Sequence, residues 1–253
     1  MICEDLKGKK VLVTGSSSGI GRATAIIFAQ QGCFVGVHYF ESKDGGEKTL
    51  QQVAKNSDGM LLQADVRDEN QVNHMVEQFA AAAGGIDILV NNVGTLIERQ
   101  PFETATVAYH QQLYDTNVLS VFLVTRAALV YLKKSKGSIV NIGSVAGHTG
   151  GARGAGMYAG TKAAIATETI AMAKEFAPYG IRVNSVLPGF TETRFHERFS
   201  TPEFIKSFAE RTPLGRNAAP EDIAKAIVFL ASDAAGFITG EYIAVNGGLY
   251  MRA

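Results

Sequence analysis

Cysteine is scarce: Cys3 and Cys33 are the only two in 253 residues. No disulfide framework can hold such a chain, and no C-x-x-C pair offers a zinc or redox site. An excess of one charge is also lacking. Lys+Arg and Asp+Glu both count 24, which leaves neither a basic footprint for a polyanion nor an acidic tail, so a nucleic-acid partner is excluded. No apolar run approaches the ~20 residues that span a bilayer. The opening MICEDLKGKK carries Glu4 and Asp5 where a secretory signal would be apolar. The expectation is a cytoplasmic, reduced protein with no membrane attachment.

Glycine is plentiful, 27 of 253 residues against an average of about 7%, so its placement is informative. Short β-rich runs alternate with longer helical ones. Strands are predicted at 10–14, 33–38, 60–64, 86–90, 138–142, 181–187 and 242–245. Helices are predicted at about 22–31, 46–55, 69–83, 117–132, 157–177 and 220–232. Such alternation implies a doubly wound α/β architecture, a Rossmann fold with a seven-stranded parallel sheet and helices on both faces. The length suits one domain over residues 1–253. Only 190–216, mixing charges, aromatics and two prolines, reads as a mobile excursion.

The first strand runs straight into Thr14-Gly15-Ser16-Ser17-Ser18-Gly19-Ile20-Gly21. In a parallel sheet, ligands bind beyond the carboxyl ends of the strands. Gly15 permits a tight turn, Gly19 a close approach of backbone to pyrophosphate, and Gly21 close packing of helix on strand. The helix that follows points its free amides at the same place. The spacing is not that of a P-loop, because no Gly-Lys-Ser/Thr is present.

Tyr158 and Lys162 are four apart at the start of a helix and share a face. An ammonium about 4 Å from a phenol, at an effective dielectric of ~20, is worth about 4 kcal/mol, or roughly three pKa units. That would bring the phenol toward working pH, where general acid–base catalysis is effective. An isolated pair of this kind is more often a solvated helix face. Ser144, at the end of the fifth strand and the same sheet edge as the glycine turn, changes the balance.

Thr14-Gly15-x-x-x-Gly19-x-Gly21, Asn91-Asn92-x-Gly94, Asn117, Ser144, Tyr158-x-x-x-Lys162 and Pro188-Gly189 occur in that order. Together they resemble the short-chain dehydrogenase/reductases over essentially the whole chain, most closely the 3-oxoacyl-thioester reductase-like branch. The resemblance implies a catalytic set of Asn117, Ser144, Tyr158 and Lys162. Tyr158 would exchange a proton with the carbonyl or alcohol oxygen, and Ser144 would hydrogen-bond the same substrate oxygen. Lys162 would hold the nicotinamide ribose and lower the Tyr158 pKa. Asn117 would interrupt its helix and anchor a water linking Lys162 to solvent.

For the cofactor, the resemblance implies contacts from Gly15, Ser17, Ser18, Gly19, Ile20 and Gly21. It adds Tyr39 at the end of the second strand, Asp65 and Val66 at the adenine, and Asn92, Val93 and Gly94 at the adenosine ribose. Pro188, Gly189, Thr191 and Thr193 would meet the carboxamide and phosphates. A homotetramer built on the helices near 117–132 and 157–177 is also implied, as is a substrate lid over 190–216. Two features depart from the pattern. Val93 stands where alanine is usual, and the 145–157 loop is slightly long, which bears on pocket shape.

Tyr39 occupies the place of the carboxylate that binds the 2′-hydroxyl in NAD-preferring relatives. Ser18 stands where NADP-preferring relatives carry a base. Ser18, His38, Ser42 and Lys43 form a candidate phosphate cradle opposed by Glu41, so NADP(H) is favoured over NAD(H). No metal site is expected: His196-Glu197 begins like a zincin helix, but Ser200 replaces the second histidine. His148 reads as a surface-loop residue. Phe195, Phe199, Phe204 and Phe208 recur at helical spacing, which by default is packing and by resemblance is an apolar wall of the substrate pocket. The alternatives are a sugar or small-alcohol dehydrogenase of the same family, or a non-catalytic NAD(P)-binding regulator.

Overall fold

The computed structural model describes residues 3–193 and 199–251. Phe195 of the aromatic stripe and His196-Glu197 of the zincin-like run lie outside the described residues.

Period-two burial sorts the strand residues into two apolar layers. Val11, Val13, Ile88, Val90, Val140 and Ile142 pack on one side of the sheet, while Leu12, Leu89 and Ile139 pack on the other. Strands buried on both faces read as continuous hydrophobic runs, which is why they are visible in the sequence. The strands are β1 (Lys10–Val13), β2 (Phe34–Tyr39), β3 (Gly59–Gln63), β4 (Ile88–Asn91), β5 (Ser138–Ile142), β6 (Arg182–Pro188) and β7 (Tyr242–Val245), of which the edge strands β3 and β7 are only partly buried. All pair in parallel, in the order β3-β2-β1-β4-β5-β6-β7. The strand order reverses between β1 and β4, the switch point at which parallel sheets open a ligand crevice.

The helices are α1 (Gly19–Gln30), α2 (Lys43–Val53), α3 (Glu69–Ala83), α4 (Val107–Tyr114), α5 (Ser120–Ser135), α6 (Ala146–Thr149), α7 (Gly156–Phe176), α8 (Pro202–Arg211) and α9 (Pro220–Ala231). Phe28 of α1 and Ile223 and Ile227 of α9 complete the first layer. Val72, Met75 and Phe79 of α3, Leu132 of α5 and Phe176 of α7 complete the second. Each such fully buried side chain stabilises the fold by about 1.5–3 kcal/mol. Gly36 admits one of them: a Cβ there would lie 2.8 Å from the Phe79 ring. Helix α3 starts where Asp68 accepts from the Asn70 and Gln71 amides and stops at Gly84, φ 78°.

The long helix expected from about Asn117 begins instead at Val107. A π-helical segment, Asp115–Leu119, joins α4 to α5. The extra residue in that turn shifts the phase of the apolar stripe, so a 3.6-residue period does not carry across it. The run Val107–Ser135 is, by length and composition alone, apolar enough to cross a bilayer, which the sequence reading did not anticipate; half of its most apolar stretch is buried inside the protein, as in a core helix. Thr191 forms an isolated parallel bridge with Ala218, and helix α8 lies between these two positions in the chain.

Candidate active site

A cleft of about 950 Å³ opens at the carboxyl ends of β1, β2, β4, β5 and β6. Of the catalytic and cofactor residues implied by the resemblance, all line it except Gly21 and Asn117; of the further candidates, Lys43 and Phe199 do not.

The glycine turn forms its floor. Gly15 and Gly19 adopt φ of 63° and 54°, the left-handed region open to glycine. Helix α1 begins at Gly19, and its N-cap Ser18 makes no side-chain cap, so the first-turn amides are left for a ligand. Gly21 sits behind the turn. A Cβ there would fall 2.5 Å from both the Gly15 oxygen and Asn92 Nδ2, so helix and strand could not approach this closely. Asn92 Nδ2 donates to the Thr14 and Gly15 carbonyls at 2.9 and 3.0 Å, fixing the turn from the β4 side.

His38 fixes it from the β2 side. The Gly15 N–H donates to Nδ1 at 2.8 Å, and Nε2 lies 3.0 Å from the Ala64 carbonyl, to which it donates. Burial pushes the His38 pKa down to about 4. Neutral and engaged at both nitrogens, it is no phosphate ligand, and the expectation from sequence is corrected. Lys43 is corrected too: it pairs with Glu47 at 3.7 Å and does not line the cleft. Ser18, Ser42 and Glu41 do line it. Tyr39 is buried, its hydroxyl 3.3 Å from Gln63 Oε1. Asp65 is held by Arg67, Nη2 to Oδ2 at 2.6 Å, and the guanidinium keeps its carboxyl below the usual range.

At the other end, Ser144 hydrogen-bonds Tyr158, while its Oγ accepts the Ala146 amide at 3.1 Å. Lys162 Nζ donates to the Ile142 carbonyl at 2.8 Å and lies 5.9 Å from the centre of the Tyr158 ring. Burial pushes the Lys162 pKa down to about 8 and the Tyr158 pKa up to about 12, with the Ser144 hydrogen bond pulling the phenol back. The expected acidification of Tyr158 by Lys162 is therefore not found: at this separation desolvation outweighs the attraction. Burial thus favours the protonated phenol.

Asn117 does interrupt its helix. Its side chain, however, is a structural clamp: Oδ1 accepts the Thr95 amide at 2.8 Å, and Nδ2 donates to the Thr95 carbonyl and to Thr161 Oγ1 at 2.9 and 3.0 Å. It thereby ties the loop after β4 to α7. Pro188-Gly189 ends β6 where a Cβ on Gly189 would meet Asn246 at 2.7 Å. Phe204 and Phe208 line the cleft and stack with Phe190, Phe208 lying 4.8 Å from each of the other two ring centres. His148 is sandwiched between Tyr242 and Tyr250, at 5.4 and 5.6 Å, rather than on the surface.

Sequence reasoning missed the two hydrogen bonds of His38, the clamp at Asn117, and the arginines Arg67, Arg99 and Arg211 of the cleft wall. The partners of His38, Asn117 and Arg99 are remote in the chain, and nothing local shows that Arg67 and Arg211 face the cleft.

The geometry fits a dinucleotide. Side-chain-free turns and open helix amides suit a pyrophosphate, and a buried amine with one protein acceptor retains donors for ribose hydroxyls. Residues 15–250 match a family model described as enoyl-(acyl carrier protein) reductase. The chain is 38% identical to a 3-oxoacyl-(acyl-carrier-protein) reductase of Thermotoga maritima, covering 96% of this chain and 98% of the relative. It is 37% identical to the protein of the same name from Vibrio cholerae, covering 98% and 99%. Among solved structures, an NADH-dependent reductase responsible for alginate metabolism superposes with a TM-score of 0.90 at 34% identity, covering 98% and 100%.

Proposed function

The chain belongs to the short-chain dehydrogenase/reductase family, and on that premise we propose that Tyr158 is the acid–base group of a reaction reducing a 3-oxoacyl-type ketone or oxidising the matching secondary alcohol. The enzyme is an NAD(P)-dependent oxidoreductase of ketones. The observation that carries the reading is the Ser144–Tyr158 hydrogen bond with Lys162 buried alongside. When bound, the nicotinamide supplies or accepts the hydride. Tyr158 then donates its phenolic proton to the carbonyl oxygen, and Ser144 positions that oxygen by a hydrogen bond. Lys162 holds the ribose hydroxyls, and its positive charge favours the phenolate left after donation.

Gly15, Ser17, Ser18, Gly19 and Ile20 receive the pyrophosphate side of the dinucleotide, with Gly21 behind them. Asp65 and Val66 border the adenine; Asn92, Val93 and Gly94 the adenosine ribose; Pro188, Gly189, Thr191 and Thr193 the nicotinamide half. NADP(H) is the favoured cofactor because no carboxylate stands at Tyr39, while the Ser18 and Ser42 hydroxyls line the same wall. Segment 190–216 is the substrate lid of a single domain. The protein works in the cytoplasm as a homotetramer, a reading supported by Phe122 and Val130 of α5, which are large, apolar and exposed.

Tyr158→Phe tests the central claim. It is expected to abolish reduction while leaving NADPH binding, followed by fluorescence, within about threefold of the parent. Undiminished turnover would remove Tyr158 from the chemistry, and a protein that binds nicotinamide but reduces no ketone at all would be a regulator instead. For the cofactor, kcat/KM is expected to be higher with NADPH; a tenfold preference for NADH overturns that choice.

A further inference from the structure

Charge is unevenly distributed along the cleft wall. Near the adenosine end, Glu41, Asp65 and Arg67 balance to a net negative charge. On the aromatic side, the charged lining residues among those described are Arg99 and Arg211, and neither forms an ion pair with a described carboxylate. A pair of unneutralised guanidiniums in one concave wall raises the local concentration of anions and discriminates against neutral ligands.

These arginines are positioned rather than trailing. The Arg99 guanidinium lies 5.5 Å over the Phe204 ring, and that of Arg211 4.7 Å over Phe208. The two rings are themselves 4.8 Å apart. Stacking covers the guanidinium faces and leaves their N–H edges for a planar acceptor. Arg99 Nε donates to the Phe199 carbonyl at 3.1 Å and Nη1 to the Arg153 carbonyl at 3.4 Å. A guanidinium carries five N–H groups, so a fork remains open to a ligand.

The loop that presents Arg99 is tightly held. The Tyr109 hydroxyl lies within hydrogen-bond reach of the Leu96 and Glu98 carbonyls, at 3.1 and 2.6 Å. The Gln100 backbone amide donates to the Gly154 carbonyl at 3.0 Å. Ile97 between them has φ of 63°, a costly conformation for a β-branched residue that persists only where the surroundings impose it. Two separate elements, this loop and α8, thus deliver cationic forks to one aromatic wall.

We propose that Arg99 and Arg211 form a carboxylate subsite, and that the physiological substrate is a small ketone bearing a carboxylate group. This rests on the oxidoreductase reading above and deepens it by naming the substrate class. The carboxylate docks against the forks, the aliphatic or sugar backbone lies on Phe204 and Phe208, and the ketone is left to reach Tyr158.

The test follows NADPH and NADH oxidation with 3-oxobutanoate, 4-oxopentanoate and 5-oxohexanoate, each beside its methyl ester, together with acetoacetyl-coenzyme A and neutral cyclic ketones. At least one acid is expected to show a KM about tenfold or more below its ester, the scale of a charged hydrogen bond. Arg99→Gln and Arg211→Gln are expected to raise the acid KM by about tenfold with kcat little changed and the ester KM unmoved. Arg99→Lys should recover part of the loss. Ester turnover in each variant reports that the fold and the catalytic centre are intact. Esters or neutral ketones used better than every acid overturn the proposal. An arginine effect confined to acetoacetyl-coenzyme A also overturns it, assigning the forks to the phosphates of a thioester carrier. If the parent protein oxidises neither nicotinamide with any ketone, the oxidoreductase reading itself has failed, a result distinct from loss of acid preference.

Discussion

The amide of Gly15 donates to Nδ1 of His38 across 2.8 Å, so the first residue of the cofactor turn is held by the neighbouring strand. The ring is buried and its pKa falls to about 4 from 6.5. Below pH 6.5 the unfolded chain takes up a proton that the folded chain refuses, so stability is lost as pH falls from 6.5 toward 4. The loss is on the order of 3 kcal/mol. His38→Ala is expected to flatten this acid limb of the Tm–pH curve and to weaken NADPH binding about tenfold. His38→Asn, which keeps an acceptor near Nδ1, should retain most of the binding. Unchanged NADPH affinity in His38→Ala would show that the turn holds its shape without the ring.

Lys162 poses the opposite problem. Its amine is buried with one protein acceptor, the Ile142 carbonyl, and its pKa drops from 10.5 to about 8. Below pH 8 the ammonium is present in both folded and unfolded chains, and the folded state bears the full desolvation cost. Between pH 8 and 10.5 the folded chain releases the proton first and stability rises. Lys162→Met is therefore expected to raise Tm by a few degrees at pH 7 while abolishing activity, with the gain vanishing by about pH 10.5. A Met variant less stable than the parent at pH 7 would mean that the amine is better solvated than its burial indicates.

The strands and their parallel pairing were legible because β1, β4 and β5 are buried on both faces and followed by glycine-containing turns. Ser144, Tyr158 and Lys162 were legible as residue types at fixed spacing. What the sequence hid was the pairing of side chains and the local geometry of one helix. His38 resembles any strand histidine until Gly15 and Ala64 are seen on either side of it. Lys43 looked available until Glu47 was found beside it, one helical turn on. The start of the long helix was hidden by the π turn at Asp115–Leu119, which breaks the period that would reveal it. The state of Tyr158 was misjudged for a related reason. Spacing gives the distance to a charge but not the depth of burial, and burial decides the sign.

Asn117 bonds Thr95 at both amide and carbonyl and also Thr161. Asn117→Ala is expected to lower stability by about 2–4 kcal/mol, since it leaves buried polar partners unsatisfied. It should also raise substrate KM by loosening the loop that carries Arg99. A variant with parental Tm and selectively reduced kcat would instead mark Asn117 as a proton-relay residue with no clamping role.

The pH dependence of reduction separates the phenol from the amine. Tyr158 stays protonated to about pH 12, whereas Lys162 loses its charge near pH 8. The pH profile of kcat/KM reports groups of the free enzyme. For ketone reduction it is expected to be level through neutrality and to fall as pH rises through about 8, following the amine. Lys162→Arg keeps a cation at all accessible pH, so whatever activity that variant retains should show no fall near pH 8. A decline at the same pH in both proteins would assign the titration to another group and leave the charge of Lys162 without a part in proton transfer.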